Sequence, residues 1–184
     1  MQKNNETEKR FLGKTPINSA TSFFFFEKGS KIQRLMHELK YRNNKEIGRY
    51  LSKIAATELS QSGYYSDVNV IVPVPLHPKK ELLRGYNQSE WIGKGLSDIL
   101  DKPLDINNLV RMKENISQTK KTVYERFENT QGVFAVRQPT RFTGKHILLV
   151  DDILTTGSTL EACATALQEC KNVKISIFTL AVAK

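Results

Sequence analysis

Residues 147–159 read "ILLVDDILTTGST". Four branched apolar residues, too few for a helix, suit a buried strand, which puts Asp151 and Asp152 at its carboxyl edge. A glycine among four hydroxyls follows, and then Leu160, Cys163, Ala164 and Leu167 recur at helical spacing. The order is therefore strand, loop, helix. At the start of such a helix, free backbone N–H groups and the positive end of the dipole face one bound anion. Gly157 allows a turn that a side chain would resist. Thr155, Thr156, Ser158 and Thr159 add donors without adding charge. The loop has the makings of an anion cradle.

Two common cradles are excluded. A Walker loop needs Gly-Lys-Ser/Thr after its spacer, and no lysine stands here. A dinucleotide fingerprint needs three glycines, and this loop has one; "GKG" at 93–95 lies inside a helical pattern and lacks the third. The aspartates need a different partner from the anion. Carboxylates accept hydrogen bonds, so adjacent hydroxyls or a hydrated divalent cation suit them. A ribose bearing a 5-phosphate offers both features within a few ångströms. A capping aspartate beside a polar turn is the plainer explanation of an isolated Asp-Asp, but the thirteen-residue context favours a ligand site.

Working outward, strands and helices alternate. The arm 1–20 reads as weakly structured, and "SFFFF" (22–26) as a buried strand. Ser30 is placed to cap a helix carrying Ile32, Leu35, Met36 and Leu39. A second helix runs through Ile47, Tyr50, Leu51, Ile54 and Ala55 and stops at Gly63. "VNVIVPVP" (68–75) reads as a buried parallel strand, and a helix through Trp91, Ile92, Leu96, Ile99 and Leu100 follows, with Asn87 as its cap. A weaker strand at 109–112 leads through a long polar stretch to "VFAV" (133–136) as its return, and "VKISIFTLAVA" (173–183) is the last strand. Lys40 and Arg42 read as a solvated face, and His37 and His146 as structural or solvated. The pattern predicts a mostly parallel sheet covered on both faces, with ligands at the carboxyl ends of the strands.

Composition sets the bounds. The chain has 184 residues, 39% hydrophobic and 26% charged, which suits one α/β domain and excludes wholesale disorder. No run approaches the roughly 18 apolar residues of a membrane helix, and the polar start lacks the core of a signal peptide, so a cytoplasmic protein is expected. The net charge of +9 fits a polyanionic ligand or nucleic acid. Cys163 and Cys170 lie seven apart on one helix and read as buried thiols rather than as metal ligands.

The opening stretch resembles the phosphoribosyl pyrophosphate signature of type I phosphoribosyltransferases. "VPVPLHPKKELLRGYNQSEWIGKGL" (72–96), "HELKYRNNKEIGRYL" (37–51) and "SQTKKTVYERFENTQGVFAV" (117–136) are similar to the ComF family, the competence-associated members of that group. The resemblance covers about residues 20–184. It implies the type I phosphoribosyltransferase fold: a twisted, mostly parallel sheet flanked by helices, with a small N-terminal hood and a flexible flap, over residues 21–184.

By position it also implies roles. Asp151 and Asp152 would hold the ribose hydroxyls and, through water, magnesium. Thr155, Thr156, Gly157, Ser158 and Thr159 would hold the 5-phosphate. Leu76, His77 and Lys79, with Arg84, would meet the pyrophosphate. Segment 113–132 would be the flap, with Lys120 serving the reaction beside Lys121 and Arg126. Members commonly begin with a zinc module of two CxxC pairs; no cysteine precedes Cys163 here, so no zinc is expected in this chain. The functions in play are transfer of phosphoribose to an unidentified nitrogenous base, a non-catalytic accessory of DNA uptake, and a basic nucleic-acid binder with a vestigial site. The partners in play are phosphoribosyl pyrophosphate, the DNA-uptake machinery or single-stranded DNA, and, independently of these, a second copy of the chain; no membrane insertion is expected.

Overall fold

The computed structural model describes residues 5–42, 44–112 and 132–184. In chain order its elements are α1 (Glu6–Lys9), β1 (Ser19–Phe26), α2 (Lys31–Tyr41), α3 (Lys45–Ser62), β2 (Val70–Pro73), α4 (Pro78–Arg84), α5 (Gln88–Leu100), β3 (Leu109–Arg111), β4 (Phe134–Val136), a 3-10 turn (Pro139–Arg141), β5 (His146–Leu154), α6 (Ser158–Gln168) and β6 (Lys174–Ala183). Four strands form a parallel sheet in the order β1-β6-β5-β2. Strands β3 and β4 make a separate antiparallel pair, as expected of a strand and its return.

The central strands are apolar on both faces because helices cover both. Ile147, Leu149 and Ile177 pack with Leu160, Cys163 and Leu167 of α6. Leu148, Val150, Phe178 and Leu180 pack with Met36, Leu39, Leu59, Ile92 and Leu96 of α2, α3 and α5. Side chains alternate along a strand, so Asp151 continues the α6-side row and Asp152 the opposite row. The acid pair is thus split between the two faces of the sheet.

Helix boundaries follow local chemistry. Ser30 Oγ accepts from Gln33 N, Asn87 Oδ1 accepts from Ser89 N, and Gly63 ends α3 at φ 65°. Helices α3 and α5 approach closely: a Cβ on Gly95 would lie 2.3 Å from Arg49 O, which is why glycine stands there. Both cysteines are buried and free, as expected.

Three expectations need correction. The "SFFFF" run is an edge strand, so its phenylalanines are only half-buried and Phe25 is 53% exposed. Within the arm, residues 5–20 are better ordered than composition suggests. Asn5 caps α1, Phe11 is buried, and Arg10 Nη2 donates to Ala183 O at 2.8 Å. The strand carrying the aspartates does not stop at Val150 but runs through them to Leu154, paired along its length with β6. Trp91 of α5 packs half-buried against the core, with Lys45 and Lys94 Nζ 4.6 and 4.2 Å from its ring centroid.

The far edge of β2 is covered by the chain itself: Ile71 N donates to Pro103 O and Asp105 N to Ile71 O, each at 2.9 Å. His146 is structural. It is buried at the start of β5, its Nε2 2.8 Å from Ser176 Oγ and its Nδ1 3.0 Å from Asp67 Oδ2. Among the described residues no helix is long and apolar enough to cross a membrane.

Candidate functional site

The acid pair sits where three chain segments meet. Pro73 of β2 pairs with Val150, and Val74 N donates to Val150 O at 2.8 Å, so the chain leaving β2 starts beside Asp151. Asn87 ties that segment down: its Nδ2 donates to Val74 O at 3.0 Å while its Oδ1 caps α5. Two residues on, Ser89 Oγ donates to Asp151 Oδ1 at 2.9 Å, and Asp152 N donates to the same oxygen at 2.9 Å. The rest of Asp152 is spoken for by two partners. Ile153 N donates to Oδ1 at 2.6 Å, and Lys40 Nζ lies 3.0 Å from Oδ2.

Burial sets the charge state of Asp151. Asp152 is 8% exposed. Loss of hydration, and then the neighbouring Asp152 carboxylate, push the Asp151 carboxyl up to about 7, against the opposing pull of Asp152 N–H, Ser89 and Lys40. The thiol of Cys163 on α6 is pushed well up by burial and then by the charge of Asp151.

The sign of the stability effect follows. Between the ordinary carboxylate range and about 7, the folded chain holds a proton on Asp151 that the unfolded chain releases. The Asp151 share of stability is therefore fully present at low pH and is lost as pH rises through about 7. Urea unfolding at pH 5 and pH 8 is expected to show a smaller fall in stability for Asp151→Asn than for wild type. Equal falls would mean that Asp151 is ionised throughout.

The loop after the acid pair leads straight into the N-terminus of α6. Gly157 opens α6 with φ 90° and offers no capping side chain of its own, and Ser158 N donates to Thr156 Oγ1 at a long 3.5 Å. Thr155, Thr156, Ser158 and Thr159 are exposed around it, with Thr156 Oγ1 and Ser158 Oγ 3.1 Å apart. Glu161 in the first turn would repel an anion, but Lys14 Nζ lies 3.0 Å from its Oε1.

Of the remaining sequence candidates, Leu76 and His77 lie between β2 and α4, and Lys79 is exposed in the first turn of α4. His77 serves as the N-cap of α4, its Nδ1 accepting from Lys79 N at 3.2 Å. Arg84 turns to its own neighbourhood: Nη1 donates to Gln88 Oε1 at 2.9 Å, and its guanidinium lies 5.4 Å from the centroid of the Tyr41 ring. Lys120, Lys121 and Arg126 lie outside the described residues.

Three residues of the site were missed in the sequence. Ser89 reads as an ordinary first-turn residue, and only the fold brings it to Asp151. Lys14 sits in the arm that composition marks as weakly structured. Lys40 did carry a signal: it lies four residues after buried Met36 and so shares its inward face.

Among the described residues no group of three or more His, Cys, Asp or Glu side chains gathers as a metal cage. The donor set of Asp151 and Asp152 instead fits a hard cation that keeps most of its own waters, the habit of magnesium beside phosphates.

Comparison with known proteins agrees with this geometry. The phosphoribosyl transferase domain family matches residues 87–184. Competence protein F of Haemophilus influenzae is 30% identical over 152 residues, covering 80% of this chain and 66% of that protein. DNA utilization protein YhgH of Escherichia coli is 30% identical over 136 residues, covering 72% of this chain and 59% of its own length. The chain thus spans about three-fifths to two-thirds of the length of these relatives. An adenine phosphoribosyltransferase crystal structure shares the fold, with a TM-score of 0.50 at 14% identity, over 77% of this chain and 73% of that one. With residues 87–184 inside the family's boundaries and competence proteins among its relatives, the chain belongs to the phosphoribosyl transferase domain family, in its ComF branch.

Proposed function

We propose that the protein binds phosphoribosyl pyrophosphate with magnesium and transfers phosphoribose to a nitrogenous base. The observation that carries this is the continuous run from β5 through a split acid pair to an open helix N-terminus at Gly157. One stretch of backbone thus offers acceptors for two ribose hydroxyls and donors for a 5-phosphate. The loop leaving β2 starts beside the acid pair, where the pyrophosphate of the same molecule would extend.

In this reading a base nitrogen attacks the anomeric carbon, pyrophosphate departs, and positive charge develops on the sugar. Asp151 and Asp152 orient the ribose through its hydroxyls, and the Gly157 loop anchors the far end of the molecule, so the reacting carbon is held in place. The negative charge of Asp152 also favours the cationic sugar of the transition state. Magnesium, when bound, neutralises charge on the leaving pyrophosphate. Lys120, Lys121 and Arg126 are proposed to meet the pyrophosphate. The names of the relatives favour one addition, that the activity serves the handling of DNA during uptake.

The test is calorimetric titration of phosphoribosyl pyrophosphate with and without magnesium, followed by a screen of purine and pyrimidine bases for pyrophosphate release. Magnesium-dependent binding with release on one class of base is expected. Binding without release on any base leaves a non-catalytic donor-binding module. No binding to folded protein refutes the proposal and turns attention to DNA and the basic surface.

A further inference from the structure

The last three residues of α2 touch three different parts of the site. Leu39 O accepts from the Tyr86 hydroxyl, in the segment that leads into α5. Lys40 Nζ reaches Asp152 Oδ2 at 3.0 Å. Tyr41 lies under the guanidinium of Arg84, the last residue of α4. Three consecutive side or main chains thus tie the acid pair to the segment flanking the proposed pyrophosphate loop.

The central contact is withdrawn from water. The Lys40 side chain is 23% exposed and that of Asp152 is 11% exposed. A pair this covered is screened far less than one at the surface. The Asp152 carboxylate, buried within β5, needs a compensating charge, and Lys40 is the only cation within salt-bridge reach of either aspartate among the described residues. Yet it occupies an oxygen that an incoming cation would need. Asp152 Oδ1 already accepts from Ile153 N, so Oδ2 is the better placed acceptor, and the ammonium sits on it.

We propose that Lys40 is the resident counter-ion of the acid pair. It holds the place of a divalent cation at Asp152 while the site is empty and competes with that cation for the carboxylate when ligand arrives. Yielding Asp152 shifts the end of α2, and through Tyr41 and Leu39 that shift reaches Arg84 and Tyr86. Cation binding is thereby coupled to the α4 segment. The proposal rests on the reading of Asp151 and Asp152 as the ribose and cation site.

The test titrates manganese alone, followed by electron paramagnetic resonance of the free ion, into wild type, Lys40→Met and Lys40→Arg. Ribose 5-phosphate binding in the presence of a chelator is measured on the same proteins, and melting confirms the fold. Lys40→Gln replaces Lys40→Met should the latter fail to fold. Without its competitor the acid pair is expected to bind manganese about tenfold more tightly, while Lys40→Arg stays near wild type. Equal or weaker manganese binding by Lys40→Met, with ribose 5-phosphate still bound by wild type, overturns the counter-ion role and leaves the site reading standing. Failure of wild type to bind ribose 5-phosphate overturns both.

Discussion

Asp152→Asn is expected to weaken phosphoribosyl pyrophosphate binding roughly ten- to a hundredfold, on the basis that a charge-assisted hydrogen bond contributes about 1.5–3 kcal/mol and about 1.4 kcal/mol is tenfold. The substitution keeps shape and most local bonding. An asparagine oxygen can still accept from Ile153 N, the contact that now measures 2.6 Å. What changes is charge: Lys40 loses its anionic partner, and a ribose hydroxyl or hydrated cation meets a weaker acceptor. The same titration used on the wild type measures the loss, with melting as the control for folding. Unchanged affinity in a folded variant would place the ligand elsewhere and leave the acid pair as a structural feature. A loss seen only with magnesium present would assign Asp152 to the cation rather than to the sugar.

The strand, the turn at Gly157 and the acid pair were legible because each is written in consecutive residues. "ILLVDDILTTGST" carries its own strand, loop and helix start, and the structure places Gly157 at the positive φ that the loop required. What the sequence could not show is who answers the acid pair. Ser89 is 62 residues from Asp151 along the chain, and Lys40 is still further from Asp152. Neither contact leaves a mark in local spacing, because both arise from the order in which parallel strands are laid beside one another. The arm failed for a related reason. Its polar composition describes a solvated segment, yet Phe11 is buried against the α6 face of the sheet, and Arg10 and Lys14 add polar ties. The phenylalanine run failed in the opposite sense: four aromatic residues suit a strand, but nothing in them tells a central strand from an edge.

The glycines of α5 make a sharper test of the fold than any apolar residue. "GKG" at 93–95 means nothing as a nucleotide motif, and its two glycines serve different contacts. A Cβ on Gly95 would stand 2.0 Å from Ser52 Oγ and 2.3 Å from Arg49 O. The hydroxyl can rotate away, but it is buried and donates to Arg49 O at 3.0 Å, so rotation strands it. The carbonyl is helix backbone and moves only if α3 moves, against the clamp of Arg49 and Lys53 on Asp98. On Gly93 the nearest atom would be Leu104 Cδ1 at 2.7 Å, the end of a flexible side chain. Alanine is favoured over glycine in a helix by about 0.8–1.0 kcal/mol, which offsets part of either clash. Overpacking of about 1–3 kcal/mol with a stranded hydroxyl of about 1–3 kcal/mol outweighs that gain at Gly95, leaving a net loss near 3 kcal/mol. For a chain of this size the loss corresponds to a fall of about 6–12 °C in Tm. Gly93→Ala is expected to melt within a few degrees of wild type, since Leu104 can turn aside. Thermal melts of the two variants decide the matter. If Gly93→Ala proved the more damaging, the close approach of α3 and α5 at Arg49 would be wrong, and with it the placement of the α5 N-terminus that brings Ser89 to Asp151.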